Sequence, residues 1–256
     1  METSIPMTAP ATRKRPSLPR RIAKGLLIAL VALVLLVVLA NWLWLRSGSN
    51  RWELAIDENG TQIYTLKSPG TATLKVRGVT QSKEFTLSNH LAPFFDADIQ
   101  KDCGKWVEGC LDYRIIKPWD AQSGYNVTMW TVALFPPFAP REFLLQGELS
   151  QDPRTRVVTL ENIAVPNRIE PSDCCVRLNH VHNVWRYTPL GDGTIKIEFI
   201  SDFDMGDAFP KLLLSLGAPS AIHKMLTEEN PRLLRQPKYR AARIDFIDEG
   251  LTVAAK

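Results

Sequence analysis

Residues 25–45, GLLIALVALVLLVVLANWLWL, run without a charged side chain and with a single amide, Asn41. A helix rising about 1.5 Å per residue spans roughly 30 Å over such a stretch, the thickness of a bilayer's hydrocarbon core. Trp42 and Trp44 close the run, where amphipathic rings favour the membrane interface. Two other segment types share such an apolar run. A buried helix of a soluble core is apolar on one stripe, not on every face. A cleaved signal peptide could use Val38-Leu39-Ala40 as its processing site, but the apolar run continues past it through Leu45. The segment is therefore read as an uncleaved transmembrane helix. No other stretch approaches its apolar length, so the expected topology is single-pass.

Charge orients this helix. The chain carries a formal net charge of +4, and residues 1–24 hold Arg13, Lys14, Arg15, Arg20, Arg21 and Lys24 against Glu2 alone. The tail is therefore about +5 and the remainder about −1. Only Arg46 and Arg51 follow the span closely, so the positive-inside rule predicts a cytoplasmic N-terminus and an extracytoplasmic, most simply periplasmic, C-terminal domain. The near-neutral body argues against nucleic acid as a partner, because phosphate binding needs a basic face. Pro6, Pro10, Pro16 and Pro19 mark 1–24 as a disordered leader. The expected division is 1–24 tail, 25–45 transmembrane helix and 46–256 outer domain. The whole chain is 45% hydrophobic, and enough of that lies outside the apolar run for the outer part to bury a core.

Along that domain, Trp52 to Ala55 and the Asp57-Glu58-Asn59-Gly60 turn precede three predicted strands, Gln62 to Leu66, Thr73 to Val79 and Lys83 to Leu87. Leu91, Phe94, Phe95 and Ile99 recur at helical spacing, predicting a helix from Ser88 to Asp102. Six extended segments follow: 113–116, 125–134, 143–149, 155–165, 176–187 and 194–203. The last two form a hairpin across Gly191-Asp192-Gly193. Pro210 opens a helix through Leu216, and a second after Gly217 places Ile222, Met225 and Leu226 on one face. The fold class is α+β: a bent antiparallel sheet with helices packed against one side.

The order of landmarks resembles the START (StAR-related lipid transfer) domains. The residues that carry it are Gly60-Thr61-Gln62-Ile63-Tyr64, Trp106, Arg141-Glu142-Phe143 after a proline-containing loop, Trp185, Gly193-Thr194, and Asp204-Met205-Gly206-Asp207-Ala208-Phe209-Pro210 before the last helix. The resemblance covers about residues 50–240. It implies a helix-grip fold, a curved antiparallel sheet with a C-terminal helix over a cavity, and noncovalent binding or transfer of a lipid by opening and closing of a loop or helix. The sequence departs from the family at Asp207, in place of a second glycine. It departs again at Gly147 and Glu148, where sterol-binding members carry an arginine, so sterol is not the ligand implied.

Candidate cavity residues are Met129, Trp130, Phe143, Trp185, Ile222, Met225 and Leu226 as walls, with Arg141, His180 and His182 as polar contacts. Ordinary core packing is the plainer alternative for most of them. His180 and His182, alternate residues of a strand, could reach one metal ion, but no motif supplies a third ligand, so no metal is expected. No HExxH, nucleophile elbow, Walker loop or dinucleotide fingerprint is present, and neither catalytic residues nor a cofactor are assigned. A membrane-anchored enzyme on the same scaffold, acting on a hydrophobic substrate, and a pure interaction module remain as alternatives. On the outer side of a membrane thiols tend to pair. Cys103 with Cys110 is the simplest bond, and one from the helical segment to Cys174 or Cys175 fits equally well. Asn126-Val127-Thr128 is a glycosylation sequon by letter inside a predicted strand and is treated as chance. Arg232, Arg235, Lys238, Arg240 and Arg243 form a membrane-facing basic stripe or, more plainly, a solvated helix face balanced by Glu228 and Glu229.

Overall fold

The computed structural model describes residues 18–71, 73–206 and 209–250. Most of the basic tail, and Asp207 and Ala208 of the late motif, lie outside the described residues. The chain divides into two compact units between Trp42 and Leu43.

The first unit holds most of α1 (Leu18–Arg46). Its window Arg21–Arg46 is long and apolar enough to cross a membrane. Large apolar side chains from Leu26 to Leu39 are each at least 50% exposed. That rules out the core-helix alternative, since uncovered leucine and valine on all sides would be costly in water. The segment is a candidate membrane span.

The second unit is built on one sheet. Its strands are β1 (Trp52–Glu58), β2 (Thr61–Lys67), β3 (Leu74–Ser82), β4 (Cys110–Asp120), β5 (Tyr125–Val132), β6 (Arg141–Gln151), β7 (Val158–Ala164), β8 (Val176–Arg177), β9 (Val181–Pro189) and β10 (Ile195–Phe203). Their order is β1-β2-β3-β10-β9-β7-β6-β5-β4, and every neighbour on that path is antiparallel; β8 adds a short parallel pairing to β6. The chain closes β3 against β10, so the early hairpins and the late strands share one surface.

Period-two alternation gives the sheet two distinct faces. Ile195, Ile197 and Phe199 of β10, Trp185 and Tyr187 of β9, Leu160 of β7, Val76 of β3 and Ile63 of β2 join one core cluster. We call this the inner face, because the helices cover it. α3 (Lys211–Lys224) runs without a break through a π-helical turn, Met225–Glu229, into α4 (Asn230–Leu234), and α5 (Pro237–Arg240) follows after a turn at Arg235 and Gln236. Gly78 lets this helix lie close: a Cβ there would meet Leu226 Cδ1 at 2.4 Å and Ile222 Cγ2 at 3.2 Å. Any larger residue would push the helix off the strands. The back face carries Val127, Met129 and Leu144, with Ile116, Tyr125, Val165 and Ile169 packed on them.

Four expectations are corrected. Lys83 to Leu87 is not a strand, because Thr86 instead caps α2 (Leu87–Leu91): its side chain accepts from the Asn89 backbone N–H, and Asn89 reciprocates in a capping box. The helix expected from Ser88 to Asp102 stops at Leu91, where Pro93 and then Gly104 favour short 3-10 turns at Ala92–Phe95, Ala97–Lys101 and Cys103–Lys105. The extended segment 176–187 splits into β8 and β9. Gly217 does not interrupt α3, as helix–sheet packing outweighs its modest propensity cost of about 1 kcal/mol.

Candidate functional site

The site begins with α2, whose five residues are all buried. A helix this short is not stable alone; the C-terminal segment holds it. Glu249 accepts hydrogen bonds from the backbone N–H groups of Leu87 (2.9 Å) and Ser88 (2.7 Å), and Asn89 Nδ2 donates to the Tyr239 carbonyl at 2.8 Å. So anchored, α2 sets His90 over the inner face, stacked on Tyr187 at 5.0 Å and edge-on to Phe85 at 5.7 Å. Burial lowers the His90 pKa to about 4, so the ring is neutral near pH 7. Its Nε2 is buried with no hydrogen-bond partner.

The turns after α2 bring Phe94, Phe95 and Ile99 alongside. Cys103 is bonded to Cys110, tying the last turn to the start of β4, and Cys174 is bonded to its neighbour Cys175. Trp106 Nε1 donates to Tyr239 Oη at 2.6 Å, and that hydroxyl donates to Asp96 Oδ2. Burial, with Asp96 beside it, pushes the Tyr239 hydroxyl pKa up, so it remains a donor. These turns are thereby tied to α5.

Between this roof and the sheet lies a cavity of about 300 Å³. Its walls are mainly aromatic, with Trp106, Tyr113, Trp119, Trp130, Trp185 and Tyr187. Its floor is polar. Strand register aligns Asn126 of β5 with Gly147 of β6, Gly147 with Asn162 of β7, and Asn162 with Asn183 of β9. Asn183 Oδ1 accepts from Ser201 Oγ of β10 at 2.9 Å, continuing the row. A second cavity of about 350 Å³ shares His90, Trp185, Asn230 and Leu234 with the first and adds Leu226.

No family model matches the chain. An uncharacterized protein of Pseudomonas aeruginosa is 22% identical over 163 residues, spanning 63% of this chain and 76% of that one. A STAR-related lipid transfer protein from Xanthomonas axonopodis superposes with a TM-score of 0.63 at 17% identity, covering 72% of this chain and 99% of that structure. Human STARD10 gives 0.63 at 13% identity over 76% and 77%, and human StAR-related lipid transfer protein 5 gives 0.57 at 16% over 78% and 94%. The fold is the START helix grip. At these identities the likeness establishes architecture, and the site rests on this chain's own residues.

Within the START fold the residues singled out from sequence are dispersed. Trp130 and Trp185 line the first cavity. Phe143 is paired with Trp130 across β5 and β6 and shares its face, but does not reach the cavity. Met129, next to Trp130, points to the back face. Ile222 and Leu226 fix the helix to Gly78, with Met225 packed against the same core; Leu226 also borders the second cavity. Arg141 is 1% exposed and donates to the Met205 carbonyl at 2.6 Å and to the Ala139 carbonyl, joining two loops rather than facing a ligand. His180 lies 2.9 Å from Asp202, which also pairs with Lys75; His182 pairs with Glu161 at 2.5 Å. Each histidine thus has its own carboxylate, and among the described residues no His/Cys/Asp/Glu group could hold a metal ion.

Three of the five basic C-terminal side chains are engaged within the domain. Arg235 makes two bonds to Glu84, Lys238 pairs with Asp96, and Arg240 donates to the Glu84 carbonyl. The balancing acids are those of Glu84 and Asp96, not Glu228 and Glu229. Sequence reasoning missed the asparagine floor and His90. Asn126 was noticed only as a sequon letter, although Asn126, Thr128 and Trp130 alternate along one strand and share a face.

Proposed function

We propose that this chain is a membrane-anchored carrier that holds a lipid or other hydrophobic molecule noncovalently between its sheet and the α2 and α4 roof. The observation that carries this reading is the aromatic-walled cavity of about 300 Å³, at the lower end of the size range of ligand pockets. Its situation within a START fold supports it, since similar structures include proteins described as lipid transfer proteins. Opening and closing around a ligand would act on the ties that hold α2 and the following 3-10 turns, those made by Glu249, Asn89 and the Tyr239 hydroxyl.

The domain boundaries belong to the same proposal: residues 25–45 span the bilayer, 1–24 face the cytoplasm and 46–256 lie outside, in a bacterium the periplasm. The charge imbalance across the helix supports that orientation. Tethering holds the cavity near membrane lipid and raises its effective concentration there. Mass spectrometry of organic extracts from the full-length protein, purified in a detergent washed free of bulk lipid, is the test. A stoichiometric hydrophobic species retained by the protein is the expected result; an empty protein that also fails to take up added lipid overturns the reading.

A further inference from the structure

We propose that the ligand is an uncharged amphiphile whose hydrogen-bonding head, a hydroxyl-bearing ester or amide, rests on the asparagine row Asn126–Asn162–Asn183, with its apolar body among the tryptophans. This rests on the carrier reading above and names the class of molecule carried.

The row is built, not incidental. Gly147 stands between Asn126 and Asn162 with no side chain, and a Cβ there would sit 2.6 Å from Asn126 Oδ1 and 2.9 Å from Asn162 Oδ1. The two amides therefore close over the glycine and form one continuous polar strip across three strands. Among the described residues no protein group hydrogen-bonds the side-chain amides of Asn126 and Asn162, whereas Asn183 is held by Ser201. Both amides are half-buried and open onto the cavity, so they are free to meet a molecule that brings its own donors and acceptors. Two further groups agree. His90 is 7% exposed, and its Nε2 has no partner; the indole Nε1 of Trp119, also on the cavity wall, is buried and unpartnered. An indole N–H only donates, so it calls for an acceptor such as a carbonyl.

The head must be neutral because the enclosure is. No Asp, Glu, Lys or Arg side chain lines this cavity among the described residues, and His90 is held uncharged by burial. A carboxylate, phosphate or ammonium brought in would lose its water without meeting a countercharge. Amides, with both donor and acceptor, suit ester, amide and hydroxyl heads instead.

Three ligands with one decyl-length tail and different heads decide the matter: 1-decanoylglycerol, decanoate and decylammonium, offered together in equal amounts at about pH 8 to the full-length chain in lipid nanodiscs, with retention read by native mass spectrometry. The unmodified chain is expected to retain the glycerol ester over either ion by roughly tenfold or more. Asn126→Leu and Asn162→Leu are expected to lower that preference roughly tenfold, and Asn162→Asp to raise the share of decylammonium. Equal retention of all three heads by the unmodified chain overturns the proposal without touching the carrier reading. So does an unchanged preference in both leucine variants. Retention of none of the three overturns the carrier reading itself.

Discussion

The two sides of the sheet treat their polar groups in opposite ways. On the back face, Glu142 and Arg177 are 1% and 8% exposed, and each is saturated. Arg177 bonds the Glu142 carboxylate at 3.0 and 2.8 Å and donates to the carbonyls of Pro166, Ile169 and Glu170, while Ser172 completes the carboxylate's shell. Burial works against the charge on Glu142, yet the bonds from Ser172 and Arg177 hold its carboxyl below its ordinary pKa. Around the cavity, His90 Nε2 and Trp119 Nε1 are buried without a partner, and the half-buried amides of Asn126 and Asn162 take no hydrogen bond from the described residues. Polarity that serves the fold is satisfied within the chain; polarity that serves a ligand is left open. The contrast predicts that damage to the first face is read in stability and damage to the second in binding.

The largest expected effect is therefore on the back face. Arg177→Met leaves Glu142 buried without its cation and is expected to cost about 3–5 kcal/mol, measured by chemical denaturation followed through tryptophan fluorescence. Because the pair also pins the 166–178 loop, loss of cooperativity is expected with it. A cost under about 1 kcal/mol would mean that water reaches the carboxylate, and the contrast between the faces would break.

His90 gives a second effect, of intermediate size, and it comes from the cavity side. The unfolded imidazole takes its proton near pH 6.5 and the folded one near 4. Throughout that window the unfolded state binds more protons, so stability is fully present above about pH 6.5 and falls as the pH drops towards 4. The loss attributable to this ring is about 3 kcal/mol. Comparing unfolding free energies of the wild type and His90→Phe across pH 4–8 isolates it, since other acids titrate alike in both. Parallel pH profiles would show that water solvates the ring, and with it the enclosed, neutral cavity would be lost.

What the sequence disclosed follows from the range of the physics involved. The apolar run 25–45, the strand texture after Leu111 and the landmark order from Gly60 to Pro210 are local patterns, and they led to the START helix grip. Naming both Met129 and Trp130 as cavity walls overlooked a local rule, because adjacent strand residues face opposite ways. Thr86 with Asn89 is a cap legible in the sequence, and it starts the helix one residue before the predicted Ser88. The asparagine row was not legible. Asn126, Asn162 and Asn183 become neighbours only through the pairing of β5, β6, β7 and β9, and the register of strands joined by long loops is set by tertiary packing. Arg141 failed for a related reason: an arginine beside a proline-rich loop reads as a ligand contact until the Met205 carbonyl, brought from the other end of the domain, occupies it.

The smallest predicted effect on stability is the sharpest test of the contrast. Asn162→Leu removes an amide with no protein partner and replaces it with an apolar side chain of similar size, facing tryptophans. No hydrogen bond within the fold is lost, and the partial desolvation of the amide no longer opposes folding. Its unfolding free energy is expected to stay within about 1 kcal/mol of wild type, or to rise, as commonly happens when a binding site is relieved of its open polar groups. The same substitution on the back face, Glu142→Leu, orphans Arg177 and is expected to behave like Arg177→Met. Denaturation of the two leucine variants side by side measures the difference directly. If Asn162→Leu proves as damaging as Glu142→Leu, the asparagine row is structural, satisfied by fixed internal water, and the inner face is simply a wetter version of the back.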